Sequence, residues 1–246
     1  MAIGLRLGER VFVPASVLKA QVSSSSAFWR SDVLQLNGRS VQIDVGAGNT
    51  EWVAASKCQR SIGVAVLAVG DFASEATLID PLSKSVLQFC RLLCSDDYVR
   101  AFKIRSVAEL SLLWAQNHAV YSHVIIIGHG NGNGLKFAAD DWVSPEDMRA
   151  ALDIQGVTKK CFVNLSCELC KAAYGKAFSR LNVCEAFIGP FDTVHGAVGS
   201  HFVQSFLINH LLHGETLKVA FRHARETVAG STSFRMWRKG KMIAGD

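Results

Sequence analysis

No apolar run in the 246 residues approaches the ~20 that a transmembrane helix needs, so no membrane partner is expected. The opening MAIGLRLGERVFV lacks an uninterrupted apolar stretch followed by a small-residue cleavage site, so no signal peptide is expected either. Charge is sparse. Charged residues make up 19%, and Lys+Arg exceed Asp+Glu by only 26 to 21. A net charge of +5, dispersed along the chain, argues against a nucleic-acid partner, which usually meets a concentrated basic face. With 49% apolar residues, a disordered or low-complexity chain is excluded. A second Cys-x-x-Cys is also missing, so the single pair at Cys167 and Cys170 finds no matching half at zinc-site spacing. Seven cysteines, an odd number without an export signal, point to reduced thiols and a cytoplasmic location. The length fits one large domain, or one domain with a small appendage.

What is present divides into unlike parts. Residues 1–60 are rich in short β-type runs, at 10–13, 32–36, 40–45 and 51–54. Asn37-Gly38 joins the middle pair, because both residues tolerate positive φ, and sets Val33, Leu34 and Leu36 across from Val41, Ile43 and Val45. Residues 23–26, four serines, read as a loop. This segment predicts a small antiparallel sheet or SH3-like barrel that needs its neighbour for stability. From Ser61 strands alternate with helices. Residues 62–69, 98–104, 123–127, 160–166 and 186–188 read as strands, and the continuous apolar runs suit a parallel sheet covered on both faces. Helices are expected at 81–94, 107–116, 169–181, 200–213 and 215–229. Another opens at Ser144-Pro145-Glu146-Asp147, with a hydroxyl cap, a first-turn proline and an acid three residues on. The expectation is a three-layer α/β domain over 61–230, whose active site lies at the strands' carboxyl ends. Residues 231–246, with Arg235, Arg238, Lys239 and Lys241 around Trp237, read as a frayed basic tail. The late histidines His201, His210, His213 and His223 read as a solvated helix face.

Two strand ends carry chemistry-bearing residues. One presents His129 between glycines, the other Cys167. A cysteine nucleophile needs a base or imidazolium nearby to hold it as thiolate, and neighbouring parallel strands ~4.8 Å apart can bring such ends together. Gly130 would let a backbone N–H approach a substrate carbonyl. Against this stands the ordinary reading, a satisfied polar histidine and a buried core thiol.

The stretch Ile126-Ile127-Gly128-His129-Gly130-Asn131-Gly132-Asn133-Gly134-Leu135-Lys136-Phe137 resembles the caspase-fold cysteine peptidases, where an apolar strand ends in His-Gly before a glycine-rich turn and a short strand. Lys160-Cys161-Phe162-Val163-Asn164-Leu165-Ser166-Cys167 is similar to that family's nucleophile strand, and residues 199–206 to the helix after its fifth strand. The order matches too, with the cysteine 38 residues after the histidine. The last region, through Leu212, Gly214, Val219 and Ala220, also resembles CHAT-type members of the superfamily. The resemblance spans about 61–229 and implies a caspase-like three-layer sandwich that hydrolyses peptide bonds. Cys167 would attack the scissile carbonyl and His129 would protonate the leaving amine. The N–H groups of Gly130 and Cys167 would form the oxyanion hole. Neither metal nor cofactor is implied, and the partner is a protein or peptide substrate.

The sequence also departs from that pattern. Leu165 stands where caspases place a glutamine, and Gly189-Pro190-Phe191 where they place an arginine, so selection of aspartate is not expected. Leu165 and Phe191 suggest an apolar substrate pocket, while Asp71 or Asp192 would favour Lys or Arg if it points inward, and reads equally as a turn or cap residue. Glu168 follows the nucleophile where a small residue is usual. Three function classes therefore stay open. The first is the endopeptidase, with Cys170 as the nucleophile if the register slips. The second is an inactive scaffold or regulator of the same fold, with a regulatory partner on the N-terminal β-module. The third is a metal or redox protein drawing on Cys167, Cys170, Cys161, Cys184, His195 and His201.

Overall fold

The computed structural model describes residues 4–20 and 27–245, so the serine loop at 23–26 lies outside the described residues. The N-terminal part is an antiparallel meander of β1 (Arg10–Pro14), β2 (Phe28–Asn37), β3 (Ser40–Gly46) and β4 (Asn49–Ala54), an open sheet in the order β1-β2-β3-β4. Its central hairpin turns at Gly38-Arg39, one residue later than expected, because Asn37 pairs with Ser40. Only Gly38 takes a positive φ there, of 58°. A bulge between Val33 and Gln35 disturbs the expected facing. Val33 still pairs with buried Ile43, but Leu34 and Leu36 are exposed. The sheet has a small core of its own around Val11, Val13, Val41 and Ile43. It also leans on its neighbour: Phe12 and Phe28 join the main core, and Phe12 meets Tyr98 edge-on at 5.2 Å.

The larger part begins with β5 (Gly63–Val69), all seven residues of which are buried. A single helical turn, α1 (Phe72–Ser74), and a π-turn (Glu75–Ile79) lead into α2 (Asp80–Leu93). Then come β6 (Val99–Ile104), α3 (Val107–Asn117), β7 (Tyr121–Ile127), and a small hairpin of β8 (Leu135–Phe137) and β9 (Asp141–Val143). They are followed by α4 (Pro145–Leu152), β10 (Lys160–Asn164), α5 (Ala172–Phe178), β11 (Cys184–Pro190) and α6 (Gly196–Leu207). The chain closes with a π-turn (Ile208–Leu212), α7 (Leu217–Thr227), β12 (Phe234–Arg238) and β13 (Lys241–Ala244). The sheet runs β13-β12-β11-β10-β7-β5-β6, parallel from β6 through β11 and antiparallel over its last two strands.

Both faces of this sheet are covered, which is why β5 carries no polar side chain. On one face Val64, Val66, Ile125 and Val163 meet α2, α6 and α7 through Leu82, Val86, Phe202, Phe206 and Phe221. On the other, Ala65, Leu67, Val124 and Phe162 meet α3, α4 and α5 through Leu110, Trp114, Met148, Tyr174 and Phe178. Local chemistry fixes the helix starts. Ser144 and Asp147 form the reciprocal capping box on α4, with Pro145 in its first turn.

Two sequence readings are corrected here. Residues 234–244 are not a frayed tail but the last two strands of the main sheet. Their basic residues conceal an alternation in which Phe234 and Met236 face one layer and Trp237 the other. Phe234 stacks on Phe202 at 3.9 Å, and the Trp237 indole donates to the Cys170 carbonyl at 2.9 Å. Nor does His210 belong to a solvated face. It stacks on Phe206 and lies 5.2 Å from the ring of His123, which is buried on β7.

These two histidines make stability depend on pH. Burial holds both below the ordinary imidazole range, and the charge of nearby His210 depresses His123 further. The His123 Nε2 is buried with no hydrogen-bond partner among the described residues. A depressed histidine favours the neutral form, so its contribution is complete above the unfolded value of ~6.5 and is lost as pH falls below it. Urea unfolding between pH 7 and pH 5 should show stability falling by up to ~1.4 kcal/mol per pH unit for each such histidine. His123→Leu should roughly halve that slope, and an unaltered slope would refute the assignment.

Candidate active site

The carboxyl ends of β7 and β10 lie side by side. Their register pairs Asn164 with Ile126, and the Leu165 N–H donates to the Ile126 carbonyl at 2.8 Å. Continuing both chains brings Cys167 level with His129. The contact is close: a Cβ on Gly130 would lie 2.3 Å from the Cys167 carbonyl oxygen and 2.8 Å from Leu169 Cγ. Gly130 is thus required by the approach of the cysteine turn, a packing reason beyond any need to admit substrate. Gly128 is similar, its missing Cβ pointing 2.6 Å from the Val69 carbonyl.

The loop holding His129 is pinned through its backbone. The Lys136 N–H donates to the His129 carbonyl at 2.9 Å, and the Asn131 carboxamide oxygen accepts from the N–H groups of Asn133 and Gly134. His129 itself is exposed. Asp71, just past β5, caps α1: its carboxylate accepts from the Ser74 N–H at 2.9 Å and the Ser74 hydroxyl at 2.8 Å. Those bonds, with a smaller electrostatic contribution from His129, hold the Asp71 carboxyl below the usual carboxylate range. Of the two readings the sequence offered for Asp71, the structure shows the helix cap, within electrostatic reach of His129.

Asn164, at the end of β10, was missed by the sequence reading. It is fully buried, donates from Nδ2 to the Ser166 carbonyl at 2.7 Å, and accepts the Ser166 N–H at 3.2 Å. This side chain folds the turn that delivers Cys167. An asparagine closing an apolar strand was the only available signal, and it reads as an ordinary turn residue.

Cys167 differs from the other six cysteines, all of which are buried, in being half-exposed. Its thiol faces the Val194 carbonyl at 3.9 Å, in the loop before α6. Cys170 points elsewhere, to the Arg235 carbonyl at 3.7 Å, and burial pushes its thiol well above the ordinary range. A thiol held protonated is a poor nucleophile. The two sulfurs of the Cys-x-x-Cys therefore diverge. Cys161 and Cys184 are buried in the sheet, His195 caps α6 and His201 is exposed. Among the described residues no group of three or more His, Cys, Asp or Glu is arranged to hold a metal ion.

Glu168 follows Cys167 with a φ of 63°, in the left-handed region. That conformation explains why a small residue suits the place, since a side chain there costs about 1–3 kcal/mol. The carboxylate is held by Lys171 at 2.8 Å, and the pair packs against Gly132 of the histidine loop. The backbone N–H groups of Gly130 and Cys167 make no hydrogen bond within the described residues.

The four residues read as a substrate pocket differ in their surroundings. Leu165 is buried in the core against Gly199, Asp192 is exposed, and Asp71 serves as the cap. Phe191 is half-buried after β11, with the Arg235 guanidinium 5.4 Å from its ring centre. Arg235 arrives from β12, opposite Gly189, a strand that the sequence reading treated as tail.

No protein-family model matches the chain, and no characterised protein matches it by sequence. Solved structures do. One is a secreted C11 cysteine protease from Bacteroides thetaiotaomicron in complex with an irreversible peptide inhibitor, at a TM-score of 0.51 and 11% identity. The match covers 72% of this chain and 66% of that one. Another is an inactive zymogen C11 protease from Parabacteroides distasonis, at a TM-score of 0.51 and 9% identity, covering 72% of this chain and 61% of that one. The fold is caspase-like. This chain spans less than two thirds of the length of either neighbour. In caspase-like terms, β7 and β10 are the two strands whose ends the sequence resemblance assigned to histidine and cysteine, and the antiparallel β12–β13 pair extends the same sheet beyond β11.

Proposed function

We propose that the chain is a cysteine endopeptidase acting through Cys167 and His129. The observation that carries this is the exposure of a single thiol of the seven, on a turn packed directly against the His129-Gly130 backbone. The likeness in fold to C11 proteases, one of them bound to a peptide inhibitor, supports a peptide substrate.

In this reading Cys167 Sγ attacks the scissile carbonyl carbon, and the C–N bond breaks as His129 passes its proton to the leaving amine. The acyl-thioester is then hydrolysed by a water from which His129 takes a proton. The N–H groups of Gly130 and Cys167, unspent on the protein, would receive the developing oxyanion. Asp71 places a negative charge within electrostatic reach of His129.

The test is digestion of a mixed peptide library, with new termini mapped by mass spectrometry. Cuts at internal peptide bonds, suppressed by prior alkylation with iodoacetamide, are expected. An uncut library would overturn the endopeptidase and favour an inactive scaffold of this fold.

A further inference from the structure

Phe72 is the first residue of α1, and its ring is 76% exposed. Single exposed apolar residues are ordinary, but this one is held in place. Its backbone follows the Asp71–Ser74 capping box, and the Arg105 guanidinium lies 4.2 Å from its ring centre. Arg105 pairs through one Nη with Glu75, whose other oxygen meets Lys103, and Lys103 also pairs with Asp80. The Arg105 Nε is buried without a partner among the described residues, so the guanidinium is committed to the ring and to Glu75. These cations and anions balance one another. What the surface presents outward is the second face of an immobilised aromatic ring.

Its place in the fold gives that ring a use. The register pairs Ala68 with Ile127 and Val69 with Ile104, so Phe72 lies beyond the same sheet edge as His129. Along that edge the strands run β10, β7, β5, β6, carrying Cys167, His129, Phe72 and Arg105 in turn. The acyl half of a bound peptide stays with the sulfur. The leaving amine sits at the histidine that protonates it, so the chain after the cut continues toward β5.

Resting on the peptidase reading above, we propose that Phe72 forms an apolar subsite for a residue on the leaving-group side of the scissile bond. It would take an aromatic or long aliphatic side chain of the substrate, and Arg105 is its positioning residue. A ring already fixed in place loses little freedom on binding, which favours selectivity at this position.

The experiment compares two kinds of substrate on the full chain. One kind is quenched peptides that extend three residues past the cut and carry Phe, Leu, Gly or Asp at the first two of those positions. The other carries the same acyl half on an aminocoumarin, which offers no peptide beyond the cut. The wild-type chain should prefer Phe or Leu over Gly by about tenfold in kcat/KM, within the range that apolar contacts supply. Phe72→Ala should bring that ratio to within about twofold, and should lower kcat/KM for the extended Phe peptide relative to its own value on the coumarin amide. Arg105→Lys keeps the charge but loses the planar stack, and should give an intermediate ratio through a raised KM. An unchanged Phe-to-Gly ratio in Phe72→Ala, or an equal fall on both kinds of substrate, would overturn the subsite while leaving the peptidase standing. No turnover of either kind by the wild-type chain would overturn both.

Discussion

Cys167→Ala should reduce peptide hydrolysis by about 10⁴-fold or more, the scale on which loss of a nucleophile is felt when the catalytic groups act as a unit. Cys170→Ala, three residues on, should leave kcat/KM within about threefold. The contrast follows from where the sulfurs lie. Cys167 is half-exposed at the carboxyl edge of the sheet, beside the loop of His129, whereas Cys170 is buried under α5 and donates to the Arg235 carbonyl. Stability should respond in the opposite order. Removing a half-exposed sulfur should cost less than ~0.5 kcal/mol, while removing a fully buried one leaves a small cavity worth about 1 kcal/mol. Kinetics on a quenched peptide with parallel urea titrations would check both. Retention of a tenth of the activity by Cys167→Ala would remove it from the mechanism.

Gly130→Ala should have the second-largest effect, although it adds only a methyl group. The new Cβ would meet the Cys167 carbonyl oxygen at 2.3 Å, Leu169 Cγ at 2.8 Å and Ser166 Cβ at 3.2 Å. All three atoms belong to the turn that carries Cys167, and a backbone oxygen cannot rotate away. The cysteine turn and the histidine loop must therefore separate by a substantial part of an ångström. Misplacement on that scale costs roughly 10²-fold in rate, and overpacking costs about 1–3 kcal/mol in stability. Gly4→Ala serves as the control, since nothing lies within 4 Å of its added Cβ. Activity within threefold of wild type in Gly130→Ala would show that the two loops need not touch for catalysis.

The parts of this architecture that could be read from sequence are those set by local pattern. β5 and the second half of β7, Val124 to Ile127, announce themselves as unbroken apolar runs because both faces of their sheet are covered. Ser144 and Asp147 mark the start of α4 because a capping box needs only residues three apart. His129 and Cys167 stood out because each closes such a strand. What escaped depends on pairing between distant segments. Asn164 matters through two hydrogen bonds to a backbone that only the folded turn supplies. Asp71 gains its place beside His129 because β5 inserts between β6 and β7, a crossover that spacing alone does not reveal. Arg235 was lost with its strand, since a cluster of arginines and lysines drew attention from the alternation of Phe234, Met236 and Trp237. His210 looked like one more polar helix residue until the π-turn rotated it onto Phe206 and His123.

The central claim, that one thiol is activated by one histidine, is tested most directly by covalent labelling. The folded chain would be treated with a peptide bearing a thiol-reactive group at its carboxyl end, then digested and mapped by mass spectrometry. A thiolate held beside an imidazolium reacts selectively, and buried protonated thiols do not. The account predicts a single adduct at Cys167, with the six buried cysteines unmodified, and labelling slowed by about 100-fold or more in His129→Ala. An adduct at Cys170, modification spread over several cysteines, or an equal rate in His129→Ala would contradict it.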